Sequence, residues 1–160
     1  GYPCRLCQDL YGEQYANVMA CSSRQLVEFI RWIQQQPFYE NTTIVLVWDH
    51  LTMDSDFCAN VSPEYQRGVL NIFVNAPVMA VNTKNRIAST MDMFPTTIAA
   101  LGGEIEGDRL GLGTNLFSGR PTLAEELGMD QLNAEVRKNS LFYAGLAGGM
   151  EVDDSVMDMK

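Results

Sequence analysis

The run Thr43-Ile44-Val45-Leu46-Val47, leading directly into Trp48-Asp49-His50, constrains this chain more than any other stretch. It is β-branched or apolar throughout and follows a polar turn at Glu40-Asn41-Thr42, so it reads as a strand buried on both faces, as in the centre of a parallel sheet. Its end delivers a carboxylate and the chain's one imidazole to the same place. In open α/β sheets ligands gather beyond the carboxyl ends of the strands. Aspartate and histidine both ligate zinc, manganese or magnesium-like ions. An isolated Asp-His pair is more often a surface pair, or an aspartate orienting a structural histidine. Its position at the mouth of an apolar strand moves the reading toward a metal.

The flanking segments supply an α/β framework. Leu26, Phe29, Ile30 and Ile33 recur at helical intervals between Ser22 and Gln36, with Ser22 or Ser23 as N-cap and Pro37 as the stop. Residues 51–67 carry Asp54, Asp56, Asn60 and Pro63 without periodicity and read as a loop over the sheet edge. Further strands are expected at Val69–Val74 and Val78–Val81, and a helix from Thr90 that Asp92 or Thr90 caps and Gly102-Gly103 ends. The Gly-rich stretch 107–113 lacks the Gly-Lys-Ser/Thr ending of a phosphate-binding loop and reads as a structural turn. Helices are expected over Pro121–Leu127 and Leu132–Tyr143. One domain is thus expected over residues 1–143, followed by a Gly-rich and then acidic flexible tail over 144–160.

Bulk properties narrow the partners. With 160 residues and 46% hydrophobic content, the chain has material for one sizeable core. A net charge of -9 leaves no basic stripe for a phosphate backbone, which argues against nucleic acid. An acidic protein that handles anions needs a bound cation or a local arginine, and Arg67 is the candidate for meeting an anionic substrate, against its ordinary reading as a surface cation. Asp54 and Asp56 read as solvated carboxylates before they read as ligands. The longest apolar run, Ile44 to Trp48, falls far short of the roughly 20 residues of a membrane span, so no span is expected here. Cys4, Cys7, Cys21 and Cys58 fit no zinc-ribbon spacing and read as structural thiols or disulfides before they read as zinc ligands.

Residues 42–50 resemble the late metal-binding strand of the sulfatase and alkaline phosphatase superfamily, in its lipoteichoic acid synthase and phosphoglycerol transferase branch. Tyr15 to Phe29, Ser89 to Gly102 around Met91-Asp92-Met93-Phe94-Pro95-Thr96, and Gly107-Asp108-Arg109-Leu110-Gly111-Leu112-Gly113-Thr114-Asn115-Leu116-Phe117 agree with that resemblance in order and spacing. The resemblance implies the C-terminal part of a three-layer, alkaline-phosphatase-like α/β fold, with mostly parallel strands flanked by helices. It matches Asp49 and His50 to the pair that holds a catalytic divalent metal, usually Mn2+, with Mg2+, Ca2+ or Zn2+ as alternatives. It also implies that the nucleophilic threonine and the remaining ligands lie upstream of Gly1, in the missing N-terminal half of the same domain. The implied activity is phosphoglycerol or similar group transfer through a covalent threonine intermediate, on the extracellular face of a bacterial cytoplasmic membrane. The substrates would be anionic lipid-derived esters; a sulfatase or phosphodiesterase hydrolase acting on sulfate esters or phosphodiesters is the alternative, and an inactive fragment a further one. Trp48 departs from the family, which usually places a small residue there.

Overall fold

The computed structural model describes residues 2–82, 84–140 and 144–145. The chain divides into two compact units, one formed by Gly1–Met79 with Ala100–Gly103, the other by Ala80–Ala99 and the chain from Glu104 onward.

In the first unit, helix α1 (Gln14–Gln34) begins eight residues before Ser22, and its N-cap is Glu13. The Glu13 carboxylate accepts from the amides of Tyr15 and Ala16 at 2.9 and 2.6 Å. It thereby satisfies two of the free N–H groups at the helix start and places negative charge at the positive end of the helix dipole. Ser22 and Ser23, expected as caps, are therefore exposed mid-helix positions. The far end behaves as the sequence suggests, because Gln35 and Gln36 close the last turn on Trp32 and Ile33 and Pro37 follows.

Strand β1 (Ile44–Val47) pairs antiparallel with β2 (Asn71–Val74), with Ile44 opposite Val74 and Val47 opposite Asn71. Both strands are largely half-buried. The expected third strand at Val78–Val81 is absent: those residues form bends and coil. Asn75, at φ 59°, instead turns the chain out of the sheet directly after β2. Asparagine tolerates this left-handed conformation, and its amide donates to the carbonyls of Tyr39 and Thr42 at 2.8 and 3.0 Å. Thr43 donates to Ala100 O at 3.1 Å, which fixes the entry to β1.

The second unit is organised around buried polar side chains. Ser89 caps the turn Thr90–Asp92, which runs into α2 (Met93–Ala100); the reciprocal partner in this capping box is Asp92, so Asp92 acts in the cap from its third position. Strands β3 (Arg109–Leu110) and β4 (Gly113–Thr114) form a tight hairpin. Gly111, φ 60°, occupies the first central position, which a two-residue II′ loop reserves for glycine. The Gly-rich stretch is thus a structural turn. Helix α3 (Leu123–Leu127) carries a second capping box between Thr122 and Glu125, and Gly128 separates it from α4 (Met129–Val136). That last helix begins three residues earlier than Leu132 and ends at Val136; residues 141–143 of the expected helix, and the tail 144–160 apart from Ala144 and Gly145, lie outside the described residues. Both sheets among the described residues are antiparallel pairs.

Candidate functional site

β1 ends at Val47, and Trp48 and Asp49 follow as coil before a bend at His50. Three short contacts set the geometry of the pair. The His50 amide donates to Asp49 Oδ1 at 2.9 Å, which holds the carboxylate and presents its second oxygen. His50 Nδ1 lies 2.7 Å from Leu51 O, and because a carbonyl only accepts, the proton of that bond is on Nδ1. This leaves Nε2 as the nitrogen facing Asp49 Oδ2, at 3.3 Å.

A neutral imidazole with its proton on Nδ1 has a lone pair on Nε2, so two electron-rich atoms face one another. Such a contact calls for a cation, either a proton on Nε2 or a metal shared by both atoms. Metal bonds of about 2.0–2.2 Å meeting at octahedral or tetrahedral angles put ligand atoms roughly 3.0–3.5 Å apart, and the observed 3.3 Å falls within that range. Donation from Nδ1 to a backbone carbonyl is the usual outer-shell partner of a metal-binding histidine. The side chains are 82% and 56% exposed for Asp49 and His50, and an ion pair so exposed contributes only about 0–1 kcal/mol to stability. Two ligands can begin such a site; four or more groups complete one.

The loop after the pair is pinned from several directions. Tyr15 Oη donates to Thr52 Oγ1 at 2.6 Å, and the Tyr15 and Phe57 rings lie 4.7 Å apart. Arg67 donates to Thr52 O at 3.4 Å from both terminal nitrogens and to Cys58 Sγ at 2.8 Å. The residue proposed for substrate therefore holds its own loop together. Asp54 accepts from the Phe57 amide at 2.9 Å and shapes a turn. Trp48 is 38% exposed. Asn71, opposite Val47, has its Oδ1 buried with no hydrogen-bond partner among the described residues. Nothing in its local sequence distinguishes Asn71 from an ordinary polar residue at the start of a strand; its interest comes from register alone.

Elsewhere in the first unit, three of the four cysteines gather. All four are free, and the sulfurs of Cys4, Cys7 and Cys21 lie within 4.8 Å of one another. The Leu6 amide lowers the Cys4 thiol below its ordinary range, whereas the hydrogen bond that the Cys21 thiol makes to Cys7, together with burial, pushes Cys21 up to about 11. Cys58 stands apart, with Arg67.

No described helix is long and apolar enough to cross a membrane. No family model matches the chain, and no solved structure matches it. Among curated proteins, it is 29% identical over 107 residues to proteins named phosphoglycerol transferase I from Citrobacter koseri and Salmonella choleraesuis, and 28% identical over the same length to one from Salmonella paratyphi B. Each alignment covers 67% of this chain and 14% of the relative. The chain thus spans a small part of the length of the curated relatives that it matches, and its distant similarity is to proteins named as phosphoglycerol transferases.

Proposed function

We propose that this chain is the C-terminal part of the catalytic domain of a metal-dependent phosphotransferase of the bacterial cell envelope, acting on phosphoglycerol or a similar group, in the sulfatase and alkaline phosphatase superfamily. The observation that carries this reading is the Asp49–His50 pair, with Nδ1 tied to Leu51 O and Nε2 3.3 Å from Asp49 Oδ2. The distant similarity to phosphoglycerol transferase I supports the group transferred and the transferase over the hydrolase.

Asp49 and His50 would supply two ligands to a divalent ion, with Mn2+ favoured by the family resemblance. When bound, such an ion neutralises charge on a phosphoryl group and lowers the pKa of a nearby hydroxyl. The roles of this chain's own residues follow from their contacts. Leu51 O fixes the ring orientation and tautomer of His50, the His50 amide fixes the carboxylate of Asp49, and Thr52, Tyr15 and Arg67 hold the adjoining loop in place. The threonine nucleophile, the other ligands and the membrane-facing architecture belong to the longer parent in this proposal.

The test is manganese binding and phosphoglycerol transfer by the full-length protein. Asp49→Ala and His50→Ala should each weaken Mn2+ binding by more than the roughly 10–100-fold typical of losing an outer-shell partner, and should abolish transfer. Unchanged calorimetric affinity in both variants would remove the pair from the metal site and the proposal with it.

A further inference from the structure

The Cys4 and Cys7 sulfurs lie 3.7 Å apart, and those of Cys4 and Cys21 lie 3.8 Å apart. Zinc–sulfur bonds of about 2.3 Å at a tetrahedral angle place the sulfurs roughly 3.8 Å from one another. Two edges of the triangle therefore already have the length that a single zinc ion requires, and the third lies within 4.8 Å.

The surroundings supply hydrogen-bond donors to the sulfurs. Leu6 N donates to Cys4 Sγ at 3.4 Å, Cys4 N to Cys7 Sγ at 3.3 Å, and Gln25 Nε2 to Cys21 Sγ at 3.4 Å. Each of the three sulfurs thus receives an N–H donor, an arrangement that orients its lone pairs, as the outer shell of a metal site does. A disulfide would use two of these sulfurs and leave the third with a donor and no role. The backbone is shaped for the purpose as well: Cys7 N donates to Cys4 O at 3.0 Å and closes a turn that brings the Cys-x-x-Cys pair together, while α1 supplies Cys21, which is buried, from its second turn onward. The cluster borders an open hollow shared with Tyr2, Ser22 and Gln25, which leaves room for a fourth ligand.

We propose that Cys4, Cys7 and Cys21 form a zinc site that clips the segment before α1 to that helix, with solvent in the fourth position. On binding, each thiol releases its proton to solvent, so three S–H bonds are exchanged for three Zn–S bonds and no oxidant or reductant is consumed. The site contains no residue of the Asp49–His50 centre and does not depend on the function proposed for it. The sequence spacing obscures it because the third ligand comes from the middle of a helix instead of from a second Cys-x-x-Cys turn.

The test uses the full-length protein, purified with its thiols reduced, and zinc and cobalt ions alone as probes. One equivalent of zinc should bind, and cobalt should give the near-ultraviolet thiolate-to-metal charge-transfer band. Cys4→Ser, at an exposed position where the fold is least at risk, and Cys7→Ser should each weaken zinc binding by at least about 10-fold and diminish the band. Cys58→Ser and His50→Ala should leave the band intact, which separates this site from the other centre because only thiolates produce it. Absence of the band from reduced, folded protein, or a band that survives Cys4→Ser and Cys7→Ser, would overturn the proposal. Mass spectrometry finding Cys4 disulfide-bonded to Cys7 or Cys21 in protein isolated without reductant would overturn it too.

Discussion

Gly113 shows how strictly a single position can be fixed by its neighbours. Its φ lies outside the left-handed region, so conformational freedom is not what requires glycine. A Cβ there would lie 2.0 Å from Met91 O and 2.7 Å from Met91 C, both backbone atoms that cannot swing aside. The closeness has a purpose: the Thr114 amide donates to Asp92 Oδ1 at 2.7 Å, while Asp92 Oδ2 accepts from the amide and hydroxyl of Ser89 at 2.7 and 3.0 Å. A carboxylate that is 1% exposed is thereby satisfied on both oxygens. Gly113→Ala should cost about 3 kcal/mol or more, at or beyond the upper end of ordinary overpacking. Gly68→Ala, where a Cβ meets nothing within 4 Å, should change stability little. Urea denaturation of the two variants in parallel checks the contrast, and similar midpoints would show that β4 does not press on Met91.

At the scale of elements, α3 illustrates how an ion pair becomes a helix cap. Glu125 returns its Oε2 to the Thr122 amide at 2.8 Å, while Arg86 grips both of its oxygens, at 2.8 and 3.0 Å. Arg86 also donates to Ser118 O and Arg120 O, so one guanidinium ties the segment before α2 to the segment before α3. The Arg86 hydrogen bonds, against some burial, lower the Glu125 carboxyl from its ordinary 4.5 to about 2. A carboxylate depressed on folding adds stability that is fully present above its ordinary pKa and is lost as the pH falls through the folded value. Wild type should therefore lose part of its stability between pH 4.5 and about 2, and Glu125→Gln, destabilised by about 2–3 kcal/mol at neutral pH, should lack that part of the acid limb. Denaturant midpoints across a pH series measure the difference, and parallel curves for the two proteins would refute it. These elements also mark what the sequence discloses. The apolar run 44–47, the stop at Pro37 and the glycine turn at 111 are local signals, and each was legible. The start of α1 is hidden in the sequence because serine is the commoner cap, whereas here the Glu13 carboxylate caps through both of its oxygens. Val78–Val81 looks like a strand because a short apolar run says nothing of Asn75 turning the chain away. The Asp49–His50 pair was legible as a dipeptide, but its Leu51 anchor was not, and the meeting of Cys4 and Cys7 with Cys21 depends on a helix register that spacing rules do not describe.

At the scale of the whole molecule, the interior is notable for what fills it. The largest fully buried side chains among the described residues are Thr96, Thr114, Thr122, Asp92, Pro95 and Cys21, and the buried hydrophobic residues are mostly alanine. Phe29, Trp32, Phe38, Phe94 and Leu101 are exposed instead, although 46% of the chain is hydrophobic. A self-sufficient domain of this length places such aromatic and aliphatic groups inside, since their burial supplies most of its stability. Their exposure follows naturally if other polypeptide of the parent covers them, which is also where the proposal puts the threonine nucleophile and the remaining ligands. If Asp49 and His50 are two ligands of such a centre and its nucleophile lies elsewhere in the longer protein, residues 1–160 hold no group to attack phosphorus. Residues 1–160 alone, supplied with Mn2+ and a phosphodiester substrate, should give no turnover above that of the ion in buffer, while the full-length protein turns over. Robust turnover by the short chain would place a nucleophile within these residues and refute the division of the site.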